Sequence, residues 1–389
     1  MTGPHSRLGR LGRMRRAGLV VLPFFAAAHA VPSPILEADA GRDGAPAISI
    51  PAPEGTYEVT VRLTGDAKSP AAVLAEQRRL MAEGIRFRGP KPAERTFIVN
   101  VRRPGLGPLP DNASGGTVVR LKPREIGAAS WDDNLTIEAT GDARLLSVRA
   151  VPVTLPTLYL AGDSTVTDQP IAPNASWGQK LPRFFAPTLA VANHAESGET
   201  LKSFVTEQRL DKLLSALRGG DWVMIQFAHN DQKANWPQTY AEAATTYRAW
   251  LRTYIAEVRR RGATPILVTS PDRRNFDATG RIESTLGDYP ESMRIVAREE
   301  SVALIDLNAM SRRFYEALGP EAAARAFADD GRDRTHFNDY GGYALARCVV
   351  EGIRAADPAL AAGLHEHLAA DAGHYDPAHP EPIATRELK

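Results

Sequence analysis

The sequence predicts a chain in two parts: a small β-sandwich, then an α/β domain whose parallel sheet is covered by helices on both faces. Two observations carry this. Between residues 54 and 152, short runs alternate polar and apolar residues between Gly and Pro turn signals, the pattern of half-buried antiparallel strands. From Thr157 onward, short wholly apolar runs are separated by stretches of helical periodicity, the pattern of buried parallel strands joined by helices. With 389 residues, 43% of them hydrophobic, the chain is long enough for two domains, or for one large domain with an appendage.

The elements follow in order. Arg7, Arg10, Arg13, Arg15 and Arg16 precede an apolar stretch, Ala17 to Ala27, broken only by Pro23, and Ala28-His29-Ala30 fits a small-x-small cleavage site. Residues 1–30 therefore read as a secretory signal peptide, and the chain is expected to be exported, to the periplasm or outside the cell. The alternative, an N-terminal anchor helix, is disfavoured because the apolar stretch is short for a bilayer. After cleavage no membrane association is expected. Residues 31–53, rich in Pro, Ala and Gly, read as a linker. In the sandwich, residues 54–152, Tyr57, Val59, Val61 and Leu63 alternate with polar residues, as do Phe97, Val99 and Val101, then Leu135 and Ile137, then Leu146 and Val148. Ala71 to Glu83 stays open between helix and strand, because its composition favours helix. The α/β domain, residues 155–370, has apolar runs at Leu158–Ala161, Leu189–Ala192, Trp222–Phe227, Pro265–Thr269 and Val302–Ile305. Helical spacing is clearest from Tyr240 to Arg261, closed by Gly262, and a last helix is expected from about Tyr340 to Ala356. Residues 371–389, with Pro377, Pro380 and Pro382, read as a loosely ordered tail.

Composition narrows the partners. There are 47 basic and 46 acidic side chains, a formal net charge of +1, which gives no electrostatic reason to expect nucleic acid. The one cysteine, Cys348, cannot form an intramolecular disulfide and sits in an apolar run, so it reads as a small buried hydrophobe.

In an open parallel sheet, ligands bind beyond the carboxyl ends of the strands. Polar clusters follow each expected strand: Asp163-Ser164-Thr165, then Asn193 to Gly198, then His229-Asn230-Asp231, then Ser270 to Arg274, with Asp333-Arg334-Thr335-His336 ahead of the last helix. Together they hold the parts of an acyl-transfer site. Ser164 is a nucleophile that needs a base, His336 can be that base, and Asp333 can orient its imidazole. The Ser164 and Gly198 amides and the Asn230 side chain can stabilise an oxyanion.

The order Gly162-Asp163-Ser164, Gly198, Asn230-Asp231, Asp333-x-x-His336 resembles the SGNH (GDSL) hydrolases. The segments "LYLAGDSTVTDQ", "SWGQKLPRFF", "QFAHNDQK", "ILVTSPDRR", "LIDLN" and "DRTHFNDYGG" are similar to bacterial rhamnogalacturonan acetylesterases. The resemblance covers roughly 155 to 355. It implies a flavodoxin-like three-layer α/β/α domain and no cofactor or metal. It implies catalysis by Ser164, Asp333 and His336, with Ser164, Gly198 and Asn230 forming the oxyanion hole. The substrate it implies is an acetylated polysaccharide, rhamnogalacturonan (pectin) foremost. The upstream "AEQRRLM" and "WDDNLTIEATGD" resemble the galactose-binding-like β-sandwich that precedes the esterase in many bacterial relatives, which would make Ala71 to Met81 extended. Two positions depart from the family: Ala228 stands where Gly is usual, and Glu199 follows the oxyanion glycine where many relatives have Arg. An acid there would repel a polyuronate.

Other readings stand beside this one. Arg273 and Arg274 are either surface charges or clamps for uronate carboxylates, since Arg suits bidentate carboxylate binding. Trp177 either stacks on a sugar or lies in the core. His194 and His229 read as structural, Asp163 and Asp231 as turn-holding acids, and Thr165 has no assigned role. The histidines match no metal-ligand spacing. Alternatives in function are another GDSL-type esterase (xylan acetylesterase, lipase or thioesterase) and a carbohydrate-binding protein with an inactive hydrolase half. Oligomeric state is not encoded in any of these features.

Overall fold

The alternating segments of the first half become eight strands in the computed structural model, which describes residues 34–66, 70–89, 91–369 and 374–382 together with residues 1 and 3. The expected signal peptide, beyond residues 1 and 3, lies outside the described residues, as do residues 383–389. The strands are β1 (Leu36–Asp39), β2 (Ala47–Pro51), β3 (Gly55–Thr64), β4 (Ala71–Ala75), β5 (Arg79–Ile85), β6 (Ala93–Val101), β7 (Asn134–Ala139) and β8 (Arg144–Pro152). They form two antiparallel sheets, ordered β1-β8-β3-β6 and β2-β7-β4-β5. The period of two places Tyr57, Val59, Val61 and Leu63 on one face of β3, where they pack with Leu135, Ile137 and Leu145 in a shared core.

One expectation changes here, and one open segment is settled. The expected linker, residues 31–53, contains β1 and β2, each at the edge of its sheet. Edge strands tolerate proline, so a Pro- and Ala-rich stretch can still add a strand, and Ile48 and Ile50 carry the buried alternation. Residues 71–83, open between helix and strand and extended by the resemblance, fall in the β4–β5 hairpin of Ala71–Ala75 and Arg79–Ile85. Its turn puts Glu76 and Arg78 at φ of 53° and 62°. Pairing with β7 overrides the local helix propensity.

The second half supplies β9 (Thr157–Gly162), β10 (Ala190–Asn193), β11 (Trp222–Gln226), β12 (Thr264–Val268) and β13 (Ala303–Ile305). All pair in parallel, in the order β10-β9-β11-β12-β13. This is a flavodoxin-like order, and its reversal falls between β9 and β11. Alternate residues separate the two faces. Leu158, Leu160, Met224, Ile266 and Val268 pack with the helix Asp339–Ala356, including the buried Cys348. Tyr159, Ala161, Val223, Ile225 and Leu267 pack against Leu251, Tyr254 and Val258 of the helix Arg248–Arg260. That helix is preceded by a π-turn at Ala243–Tyr247, so it starts later than its periodicity suggests.

The two halves belong to one compact unit, residues 33–389. Ala72 and Leu80 of the hairpin join the apolar core of the α/β half. The tail is also less loose than expected: Tyr375 is buried, with the Arg347 guanidinium 4.3 Å from its ring centroid, and the Tyr340 hydroxyl donates to the Glu381 carbonyl at 2.8 Å.

Candidate active site

β9 ends at Gly162, a position with no room for a side chain. A Cβ there would lie 2.5 Å from Val166 Cγ2 and 3.0 Å from the Gln226 carbonyl oxygen. The chain then turns on Asp163. Its Oδ1 accepts from the Thr165 amide at 2.9 Å and the Thr165 hydroxyl at 2.8 Å, and its carbonyl accepts from Val166 and Thr167. Thr165, without a role from sequence, is a relay: its hydroxyl accepts from Gln226 Nε2 at 2.7 Å, while Gln226 Oε1 accepts from Trp177 Nε1 at 2.7 Å. Burial raises the Asp163 carboxyl above the usual range. Ser164 is left at the carboxyl end of β9.

The loop before the last helix brings the other two groups. Asp333 Oδ1 accepts from the amides of Thr335 and His336 at 2.7 and 2.9 Å. This closes a tight turn that aims the His336 ring. His336 Nδ1 lies 2.7 Å from Asp333 Oδ2, and Nε2 lies 3.0 Å from Ser164 Oγ. Burial works against ionising Asp333, but hydrogen bonds from the His336 ring and from the two amides hold its carboxyl well below the usual range. A hydroxyl on an imidazole, with a carboxylate behind it, is the constellation that readies a hydroxyl for attack on an acyl carbon.

The expected oxyanion donors lie on the loops that follow β9, β10 and β11. Gly198 has φ +83°, a conformation that favours glycine. Among the hydrogen bonds of the described residues, neither the Ser164 amide nor the Gly198 amide has an acceptor within the protein. Asn230 Nδ2 donates to the Glu199 carbonyl at 3.0 Å, and its Oδ1 accepts from Lys233 Nζ at 2.7 Å. An ammonium on the amide oxygen fixes which way the NH₂ group faces and leaves it a second hydrogen to donate. Lys233 in turn lies 3.9 Å from the centroid of the half-exposed Trp236 ring. Asn193 joins the two loops, donating to the Val166 carbonyl at 2.7 Å and to Asp168 at 2.8 Å.

Several expected roles change. Trp177 is wholly buried and bonded to Gln226, so it is core and cannot stack on a sugar. Arg274 donates to the Gly331 carbonyl, with its guanidinium 5.4 Å from the Phe327 centroid. Arg273 donates to the hydroxyls of Thr335 at 3.1 Å and Thr285 at 2.8 Å. Both arginines brace the His336 loop rather than offering a free fork to a carboxylate. Glu199 does not face a ligand: it is fully buried, paired with Lys122, and accepts from Ser203 Oγ at 2.6 Å. The methyl of Ala228 packs in the same apolar cluster as Phe227 and Tyr247. His194 and His229 are buried, and burial drives both rings well below the usual histidine range, so they stay neutral. Asp231 is buried and pushed up to about 8 by that burial, and its Oδ1 accepts from the Leu201 amide at 2.9 Å.

Residues 160–344 match the GDSL-like Lipase/Acylhydrolase family. The chain is also 40% identical over 229 residues to the rhamnogalacturonan acetylesterase RhgT of Bacillus subtilis strain 168, covering 56% of this chain and 95% of that one. The chain belongs to the GDSL-like lipase/acylhydrolase family. This acylhydrolase is also 31% identical over 307 residues to the uncharacterized esterase YxiM of the same organism, covering 78% of this chain and 72% of that one. The crystal structure of YxiM matches the acylhydrolase fold with a TM-score of 0.50 and 28% identity, over 79% of this chain and 80% of that one.

Lys122, Arg124 and Lys233 are neighbours of the site that sequence reasoning missed. Lys233 sits three residues after Asn230 and could have been found by asking what orients that amide. Lys122 and Arg124 touch residues more than seventy positions away, and nothing local marks them.

Proposed function

We propose that this acylhydrolase is a serine carbohydrate esterase that removes acetyl groups from a plant cell-wall polysaccharide, with rhamnogalacturonan as its substrate class. One observation carries the reading: the unbroken line from Asp333 through His336 to Ser164 Oγ, at a site whose Ser164 and Gly198 amides have no acceptor within the protein. Membership of the family supports ester hydrolysis, and the 40% identity to a rhamnogalacturonan acetylesterase supports the acetyl group and the pectic carrier.

In this reading Ser164 Oγ attacks the acetyl carbonyl while His336 Nε2 takes its proton. Asp333 holds the ring and stabilises the imidazolium. The amides of Ser164 and Gly198 and the Asn230 side chain take up the oxyanion. His336 then gives its proton to the leaving sugar hydroxyl, and the acetyl group stays on Ser164. Water, losing a proton to His336, attacks that ester. Acetate leaves as His336 returns the proton to Ser164.

The test is acetate release from acetylated rhamnogalacturonan and acetylated xylan, with a series of p-nitrophenyl esters, for wild type and Ser164→Ala. Acetate from rhamnogalacturonan and from the aryl acetate is expected, with a loss of about 10⁴-fold or more in Ser164→Ala. Full activity in that variant overturns the nucleophile. Faster release from xylan overturns the glycan, and preference for acyl chains of about eight carbons overturns the acetyl group. Export, read from the basic start and the small-x-small site, is part of the proposal. N-terminal sequencing of protein recovered outside the cytoplasm should then begin at Val31.

A further inference from the structure

The Gly198 amide belongs to the peptide unit whose carbonyl is that of Ser197. That carbonyl is gripped from outside the α/β half. Lys122 Nζ donates to it at 2.6 Å and Arg124 Nη2 at 2.5 Å, both from the connection between β6 and β7 of the sandwich. Each cation also pairs with an acid flanking the loop: Lys122 with Glu199, and Arg124 with Glu196 at 2.6 Å. Both acids are buried. A Cβ built on Gly198 would lie 3.7 Å from the Lys122 ammonium, so this cation stands beside the glycine itself.

The connection that carries the cations is fastened in turn. Glu125 accepts from Arg209 through both oxygens, at 2.9 and 2.5 Å, and from Trp131 Nε1 at 2.9 Å. The Arg120 amide donates to the Glu207 carbonyl at 3.0 Å. Arg209 and Glu207 belong to the α/β half, so the grip is closed on both sides.

A peptide unit is planar and trans, so its carbonyl oxygen and its amide hydrogen point in opposite directions. Holding the oxygen fixes the direction of the hydrogen. Cationic donors on the oxygen also polarise the unit, and hydrogen bonds in a chain strengthen one another. We propose that Lys122 and Arg124 are positioning residues for the Gly198 oxyanion donor. By gripping the Ser197 carbonyl they aim and polarise the N–H at the other end of the same peptide, so the sandwich completes the active site. Neither side chain needs to touch the acyl group or the glycan. The inference rests on the reading of Ser164 as nucleophile, and Ser164→Ala in the same assays separates the two. Activity in Ser164→Ala defeats that reading, whereas a silent Ser164→Ala beside wild-type behaviour at 122 and 124 defeats only the positioning role.

The test uses the full chain. Lys122→Met is combined with Glu199→Gln, so that no buried carboxylate loses its cation uncompensated, and is compared with Lys122→Arg and with Arg124→Gln combined with Glu196→Gln. Three quantities are read: kcat and KM on p-nitrophenyl acetate, the thermal midpoint, and affinity for phenylboronic acid, whose adduct with Ser164 puts an oxygen among the oxyanion donors. Removing one such donor outright costs about 10²–10³ in kcat. The first double variant, which misaims the donor, is expected to lose about 10- to 100-fold in kcat with KM within about twofold, and boronate affinity should fall in parallel. Lys122→Arg should restore most of the rate. Arg124 is half exposed, and pairing Arg124→Gln with Glu196→Gln leaves no buried carboxylate without its cation, so this second pair decides the matter even where the first double variant fails to fold. A loss of about three- to tenfold in the kcat and boronate affinity of the second pair supports the proposal. A folded variant with both quantities within about twofold of wild type overturns it.

Discussion

Two of the loops by which the sandwich reaches the α/β half are built differently. The β4–β5 turn arrives with a sealed ion pair: Arg79 Nε lies 2.6 Å from Asp168, both side chains 2% exposed. Gln77 and Arg78 add donors to the carbonyls of Asp168, Gln169 and Asn174, and Ala72 and Leu80 bring apolar surface. This loop binds the halves together. The β6–β7 connection is fastened by its own buried pair, Glu125 with Arg209, and adds cations that are partly open to solvent, Lys122 at 20% and Arg124 at 52%, which grip one carbonyl of the Gly198 loop. The comparison teaches that a domain contact can be made for cohesion or for aim. Cohesion is served by dry, paired charge and apolar area, and aim by charge placed on a single peptide.

Perturbations inside the site set the upper end of the scale. Asp333→Asn puts an amide donor against His336 Nδ1 and favours the wrong tautomer. The expected loss in kcat is about 10⁴-fold with little change in melting temperature, read by steady-state kinetics beside a thermal melt. Next comes the cohesive loop. Arg79→Met leaves Asp168 buried without its cation, which typically costs about 3–5 kcal/mol of stability. Urea melts should show that cost, while kcat of the folded fraction stays near wild type. A large fall in kcat without a fall in stability would erase the distinction between the loops.

The most gradual effect, read as a slope with pH rather than a single loss, concerns the hold on the Gly198 loop from behind. Asp231 accepts from the Leu201 amide, at the start of the helix Leu201–Thr206 that follows the loop, and burial pushes its carboxyl up to about 8. An unfolded aspartate titrates near ~3.9. Between those values the folded chain keeps a proton that the unfolded chain has released. Stability is therefore fullest at the acidic end of that window and falls as pH rises through it, by up to about 1.4 kcal/mol per pH unit from this group. Asp231→Asn should flatten that part of the profile, so that the variant gains on wild type between pH 5 and pH 8 in thermal melts. An unchanged difference between the two pH values would mean that Asp231 is ionised in the fold.

Much of this was legible in the sequence where chemistry is local. The five apolar runs mark the five parallel strands, and the site residues were readable because Ser164 and Asn230 follow such strands while Asp333 and His336 precede the last helix, each beside an element the periodicity locates. Gly162 and Asp163 act on their immediate neighbours, and their turn was readable. What stayed hidden depends on pairing across long separations. β1 and β2 have linker-like composition and become strands only because β8 and β7 offer them an edge. Trp177 looks as free as any aromatic until Gln226, forty-nine residues on, is seen to accept from it. Glu199 reads as an exposed acid until Lys122 reaches it. A charge reveals its role through its partner, and the partners here lie in the other half of the chain.

The grip on the Ser197 carbonyl separates two properties that enzymes usually vary together. Side chains that face a substrate change rate and selectivity at once, because they touch what distinguishes one glycan from another. Lys122 and Arg124 hold the back of a peptide whose front, in the proposed mechanism, meets only the oxygen common to every acetyl ester. Substitutions there scale turnover for all carriers alike. Breadth of substrate use and intrinsic speed can therefore drift independently in such an enzyme, one from the pocket rim and the other from a neighbouring domain.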